Sequence, residues 1–290
     1  MNSSLNNLRK VLDNRIKLQK GMNKNAGKTV LFLILILFAF FFIYPMIFVF
    51  INSFRPNAEI IMNPLGFTKP TFENYVRAWK VMEFHKVFFN TLMITVFGLA
   101  GIIITSSMAA YMLQRTNTKL SWILYGFFAF YLVIPFQIIM VPVSVLAADL
   151  NLTNNIGIII MYWGLGCPTA IFMFHGFVSG IPKELEESAS IDGAGKFQTF
   201  FKIILPMMKG IIATVAVIDA LWIWNDYLLP MLIIKDGTIQ LAQMKLNGQF
   251  LKEYGPLCAS LTISSIPMIL FYLFLQKYII KGIAAGAVKG

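Results

Sequence analysis

The chain has 290 residues, 58% of them hydrophobic and only 13% charged, against about a quarter charged in an ordinary soluble domain. That balance excludes disorder and argues against a water-soluble globule, because the apolar residues fall in blocks near or above the roughly 20 residues that span a bilayer. The net charge of +11 would suit nucleic acid in a soluble protein, but in a membrane chain basic residues hold loops on the cytoplasmic side, so no nucleic-acid partner is expected.

Residues 1–28 form a basic N-terminal segment with Leu5, Leu8, Leu12 and Ile16 at helical spacing. A short amphipathic helix lying on an anionic inner leaflet and a solvated basic tail both fit this pattern. The stretch Gly21 to Thr29 imitates a phosphate-binding loop, but five residues rather than four separate its glycines, and no strand precedes it. The apolar block from about 29 to 52 exceeds a signal-peptide core and reads as a retained membrane helix. Five more follow at about 88–112, 121–146, 156–179, 208–232 and 257–280. The expected fold is therefore all-α: a polytopic membrane protein whose six-helix domain occupies 29–290.

Lys and Arg counts set the orientation. The segment 1–28, the loops 113–120 and 180–207 and the C-terminal tail together hold 14, while the loops 53–87, 147–155 and 233–256 hold eight. Both termini are expected in the cytoplasm, with the helices in contact with membrane lipid. Pro135, Pro142 and Pro168 fall inside expected helices, where each either kinks its helix or is tolerated.

Catalytic and metal chemistry find little support. His85 and His175 have no metal-ligand spacing, and neither an H-E-x-x-H nor a G-x-S-x-G motif occurs. No metal or cofactor is expected on this chain. His175, inside the fourth expected helix, reads as a hydrogen-bonded packing residue. Cys167 and Cys258 lie in separate apolar runs and read as small packing residues rather than a disulfide.

The loop 181–210 carries the most information. Pro182 suits a first helical position, and Glu184, Glu186 and Glu187 fall in the following turns, where carboxylates favour the positive end of the helix dipole. Small residues follow, then Gly193 as a helix stop. A second helical run is expected from near Phe197 to Leu205-Pro206.

Glu187, Ser188 and Ala189, then three residues, Gly193, nine residues, and Ile203-x-Leu205-Pro206 resemble the EAA loop of binding-protein-dependent ABC importer permeases. Ser188 stands where that pattern has its first alanine. Asp192, Gly193 and Ala194 within I-D-G-A, the Trp224-Asn225-Asp226 triplet, the A-A-Y at 109–111 and the closing run 282–290 further resemble the carbohydrate-uptake branch, particularly its smaller permease type. The resemblance covers nearly all of 29–290. It implies a transporter subunit that is not itself an enzyme. Its partners would be a second permease subunit, an ATPase homodimer binding Mg-ATP, and an extracytoplasmic sugar-binding protein. The loop helix would rest in a cleft of the ATPase and drive alternating access. The tail, including Gly286, Lys289 and Gly290, would reach between the ATPases, and the outer loop 236–256 would reach the binding protein.

The fifth expected helix carries Asp219 and Asp226, seven residues apart on one face with Trp222 between them. Acids at membrane depth are costly and face a cavity or a partner. Asp219, Trp222, Asn225 and Asp226 are thus candidates for a substrate pathway. The competing reading makes Trp224-Asn225-Asp226 structural, fixing the outer end of the helix. It is favoured because the triplet resembles one shared across the branch whatever the sugar. The sequence does not distinguish a sugar from a glycerol-phosphate-like substrate.

Overall fold

The computed structural model describes residues 2–63, 65–66, 69–246 and 253–287, with side chains described only between 27 and 280. Among the described residues there is no strand. In chain order the helices are α1 (Asn2–Ser53), α2 (Asn57–Met62), α3 (Glu73–Val81), α4 (Phe84–Thr116), α5 (Lys119–Tyr131), α6 (Phe136–Asp149), α7 (Asn155–Val178), α8 (Glu184–Ile191), α9 (Lys196–Thr199), α10 (Leu205–Met207), α11 (Lys209–Asn225), α12 (Leu228–Ile233), α13 (Ile239–Gln243) and α14 (Tyr254–Ala287). A π-helical turn, Phe200–Ile204, joins α9 to α10.

Four helices are long and apolar enough to cross a membrane: Gly27–Ser53 of α1, α4, α7, and Tyr254–Ile280 of α14. Counting each of two bent pairs as one span gives up to six, the number expected from the apolar blocks. The basic segment 1–28 is continuous with the first span in α1 rather than set off by a break.

Two of the expected helices need correction. The third, 121–146, divides into α5 and α6, bent by 105°. Pro135 is the cause: it has no N–H and pushes the preceding residue out of the helical region. The chain closes α5 with tighter bonds three residues back, from Leu132 N to Ala129 O at 3.2 Å and from Ile134 N to Tyr131 O at 2.9 Å. Pro142 and Pro168 stay inside α6 and α7. The fifth, 208–232, ends at Asn225; Asp226 is extended (φ −72°, ψ 130°), and α12 follows as a separate short helix. Ahead of α11 the segment Lys196–Met207 meets it at 77°.

The core is the seam where α4, α7 and α11 meet. Ile102, Ile158, Tyr162, Phe174 and Ile204 are fully buried there. Close approach depends on Gly166: a Cβ at that position would lie 2.5 Å from the Ile102 side chain and 3.3 Å from Trp222. Small residues at such crossings let membrane helices gain van der Waals contact that aliphatic lipid cannot outcompete. By contrast, the α1 span has none of its most apolar window buried, and α5 and α6 are mostly exposed along their Leu, Val and Phe side chains.

Candidate functional site

The α8 turn begins with a helix of eight residues whose first turn holds Glu184, Glu186 and Glu187. Its end is fixed by backbone bonds: Gly193 N donates to Ser190 O at 3.1 Å, and Ala194 N donates to Ala189 O at 2.9 Å. This paired pattern requires a left-handed residue between helix and exit, and Gly193 supplies it with φ +81°. A Cβ at Gly193 would meet nothing within 4 Å, so the demand for glycine is one of backbone conformation alone.

Glu186 ties this turn to the bundle. Its carboxylate accepts from the Tyr111 hydroxyl at 2.7 Å and from Arg115 Nε at 2.6 Å, while Arg115 Nη2 donates to Ile181 O at 2.9 Å. Tyr111 and Arg115 lie one turn apart at the end of α4, and the Tyr111 ring packs against Phe200, centroids 5.3 Å apart. The Arg115 and Glu186 side chains are only 12% and 18% exposed, so the pair is largely shielded. Sequence reasoning counted Arg115 only for orientation and gave Glu186 only a dipole role.

The remaining loop candidates divide by exposure. Ala189 is buried at 6%, letting α8 lie close against the bundle. Glu187, Ser188 and Asp192 are exposed, Ala194, Ile203 and Leu205 half-buried, and Pro206 exposed. Two large apolar side chains, Ile191 at 86% and Phe197 at 70%, stand exposed on either side of Gly193. The expected second helix is replaced by α9, the π turn and α10. Leu205 N bonds Phe200 O five residues back, and Pro206, next in line, has no N–H to continue the ladder.

The acids of α11 behave differently from one another. Asp226 Oδ2 accepts from Tyr162 of α7 at 2.9 Å, and its Oδ1 accepts from Leu228 N at 3.0 Å. These bonds link the start of α12 to α7. Asp219 is 3% exposed and its Oδ2 has no partner among the described residues. The two acids therefore do not share a helical face open to a cavity: Asp226 lies past the helix end and Asp219 is packed inside. Trp222, 38% exposed, meets Tyr162 edge-on at 5.3 Å. Asn225 is exposed, with Nδ2 on Leu221 O at 2.8 Å. Gly286 belongs to α14; Lys289 and Gly290 lie outside the described residues, as does 247–252 of the loop 236–256.

His175 also departs from expectation. It stacks on Tyr125, centroids 3.9 Å apart with planes at 21°, and its ring has no hydrogen bond among the described residues. Cys167 and Cys258 are unpaired.

At the opposite end of the bundle α1, α3 and α14 are knotted together. Arg55, 3% exposed, donates to Asn52 Oδ1 at 2.8 Å and to Asn63 O at 2.7 Å. Asn74 Nδ2 donates to Ser53 O at 2.9 Å and Arg55 O at 2.7 Å. The Ser53 and Tyr75 hydroxyls share a bond of 2.6 Å. Arg77 of α3 forms an ion pair with Glu253, just before α14. It holds that carboxyl below the usual range by hydrogen bonding and charge.

Comparison with known proteins places this architecture. Residues 101–285 match the family described as the binding-protein-dependent transport system inner membrane component. The chain is 37% identical over 258 residues to a probable starch degradation products transport system permease protein of Thermoanaerobacterium thermosulfurigenes, covering 88% of this chain and 94% of that one. It is 36% identical over 253 residues to a multiple sugar-binding transport system permease protein of Streptococcus mutans, covering 84% and 91%. A solved chain from a bacterial ABC transporter involved in import of the acidic polysaccharide alginate superposes with a TM-score of 0.71 at 26% identity, covering 85% of this chain and 94% of that one. The protein belongs to the binding-protein-dependent ABC permeases: it is a multi-pass inner-membrane transport component and not itself an enzyme.

Proposed function

We propose that the chain is one permease subunit of an ATP-driven carbohydrate importer, forming half of a translocation pathway with a second permease subunit. The α8 turn is its coupling element. Glu187, Ser188 and Ala189 take the EAA positions, and the exposed Ile191 and Phe197 enter a cleft of a cytoplasmic ATPase homodimer that binds Mg-ATP. The observation that carries this reading is the α8 turn itself: a rigid stop at Gly193, a shielded anchor at Glu186, and two uncovered apolar side chains at the tip. Two apolar side chains exposed together on an otherwise polar turn suit contact with a partner protein. The relatives' sugar-transport names support the substrate class.

ATPase closure pushes α8, and the push passes through the π turn and the 77° bend at Met208 into α11. The cavity then alternates between an outward state, which receives sugar from an extracytoplasmic binding protein, and an inward state. The α8 end is cytoplasmic, the loop 236–256 faces the binding protein, and the tail from Gly286 through Lys289 and Gly290 reaches the ATPases. The test is reconstitution with partner subunits in vesicles. Sugar uptake should require ATP and the ATPase subunit; uptake by this chain driven by an ion gradient without ATPase would overturn the reading.

A further inference from the structure

A cavity of about 280 Å³ lies between the C-terminal end of α4 and the α8–α9 turn, with Arg115, Glu186, Ser190 and Lys196 among its lining residues. It is smaller than the roughly 300–1,000 Å³ of drug-sized ligand sites, so it suits a small anionic group rather than an oligosaccharide. Its hydrogen-bond donors are only partly used. Arg115 directs Nε to Glu186 Oε1 and Nη2 to Ile181 O, which leaves Nη1 without a partner among the described residues. The Lys196 ammonium and the Ser190 hydroxyl have none there either.

The acceptors are already taken. Glu186 is the only carboxylate among the described lining residues, and its two oxygens accept from Arg115 and from Tyr111. Arg115 offsets that carboxylate, so Lys196 is left as an uncompensated positive charge. Guanidinium and ammonium donors so placed fit the oxygens of a phosphate. The ammonium of a zwitterionic headgroup would find no free carboxylate here. Hydrocarbon surface adjoins the cavity. Met112, part of the lining, is 44% exposed, and Ile104 and Phe97, about two and four turns earlier on α4, are 52% and 49% exposed. Unused cations at the end of an uncovered apolar helix face match an amphiphile. A soluble phosphate, or an acidic side chain of a protein partner, would engage the cations alone.

We propose that this cavity holds the phosphate of an anionic lipid of the cytoplasmic leaflet. Arg115 Nη1, Lys196 and Ser190 donate to the phosphate oxygens, and an acyl chain runs along α4 past Met112 and Ile104. Basic pockets at the cytoplasmic ends of membrane helices are suited to lipid headgroups. From the importer reading the proposal takes only the cytoplasmic placement of the α8 end. The test uses the assembled complex, purified in detergent and delipidated, with native mass spectrometry as the readout. Its probes are dioleoyl phosphatidylglycerol, dioleoyl phosphatidylcholine and inorganic phosphate. The unsubstituted complex should bind phosphatidylglycerol more tightly than phosphatidylcholine. Lys196→Gln should weaken phosphatidylglycerol binding at one site about fivefold, the effect of one basic residue at an anionic surface. Lys196→Arg should retain that binding.

Equal phosphatidylglycerol binding by the unsubstituted complex and Lys196→Gln would overturn the proposal. So would displacement of the lipid by millimolar inorganic phosphate, which would make the ligand a soluble anion. Loss of the ATPase from the Lys196→Gln complex, with lipid binding unaltered, would assign the cavity to an acidic side chain of that subunit instead. Lipid binding is read without transport, so the two readings fail separately. Absence of ATP-driven uptake by the unsubstituted complex overturns the importer reading alone, and lipid binding indifferent to Lys196 overturns this one alone.

Discussion

The two ends of the bundle are built on opposite plans. At the α3 end, Asn52, Ser53, Arg55, Asn74, Tyr75 and the Arg77–Glu253 pair bind three helices through side-chain bonds spread over many residues. At the α8 end the polar attachment of the loop to α4 is one small cluster, Tyr111 and Arg115 on the Glu186 carboxylate with Arg115 also on Ile181 O, and the chain beyond it passes through a glycine stop, a π turn and a sharp bend. One end is cross-braced, and the other is a short lever on one pin.

The comparison breaks most readily at Gly193. Replacing it with leucine forces a branched side chain into a left-handed conformation that costs about 1–2 kcal/mol and redirects the tip. ATP-driven uptake should fall by more than tenfold while membrane insertion persists. Gly193→Asn, which tolerates that conformation, should retain most of the activity. Equal uptake in both variants would show that the turn's geometry is not what transmits force.

Removing the pin comes next. Glu186→Ala strips partners from Tyr111 and Arg115 and should destabilise the α8 attachment by about 2 kcal/mol, the range for hydrogen bonds to a charged group. Protease cleavage within 184–200 should accelerate, and sugar-stimulated ATP hydrolysis should uncouple from uptake. At the braced end, Asn74→Ala deletes two buried bonds but leaves the rest of the knot; thermal stability should drop by about 2 kcal/mol with coupling unchanged per assembled complex.

The smallest effect belongs to the Arg77–Glu253 pair. Its carboxyl is held below the ordinary value, so its contribution is present above about pH 4.3 and is lost as pH falls through the lowered folded value. Arg77 is 59% exposed, which limits the pair to under about 1 kcal/mol. Glu253→Gln should flatten a slight acid-side loss of thermal stability measured in detergent.

The fold was legible where it depends on apolar blocks, since each block of about 20 residues must satisfy its own backbone in a helix. The breaks were less so. Pro135 and Pro142 look alike in sequence, yet only Pro135 falls at a helix boundary. Gly193 was readable because a left-handed stop after a polar helix leaves a local signature. Glu186 was not, because its partners lie 71 and 75 residues away. Asp219 and Asp226 share a helical spacing that vanishes once α11 ends at Asn225.

The central claim is that the exposed tip of the α8 turn seats on an ATPase. Its most direct test is purification of the complex carrying Ile191→Asp, which places a charge at the most exposed apolar side chain of that turn. The account predicts that the second permease subunit co-purifies at normal yield while the ATPase is lost or released at moderate salt. ATPase retained at its full proportion, with sugar uptake undiminished, would contradict it.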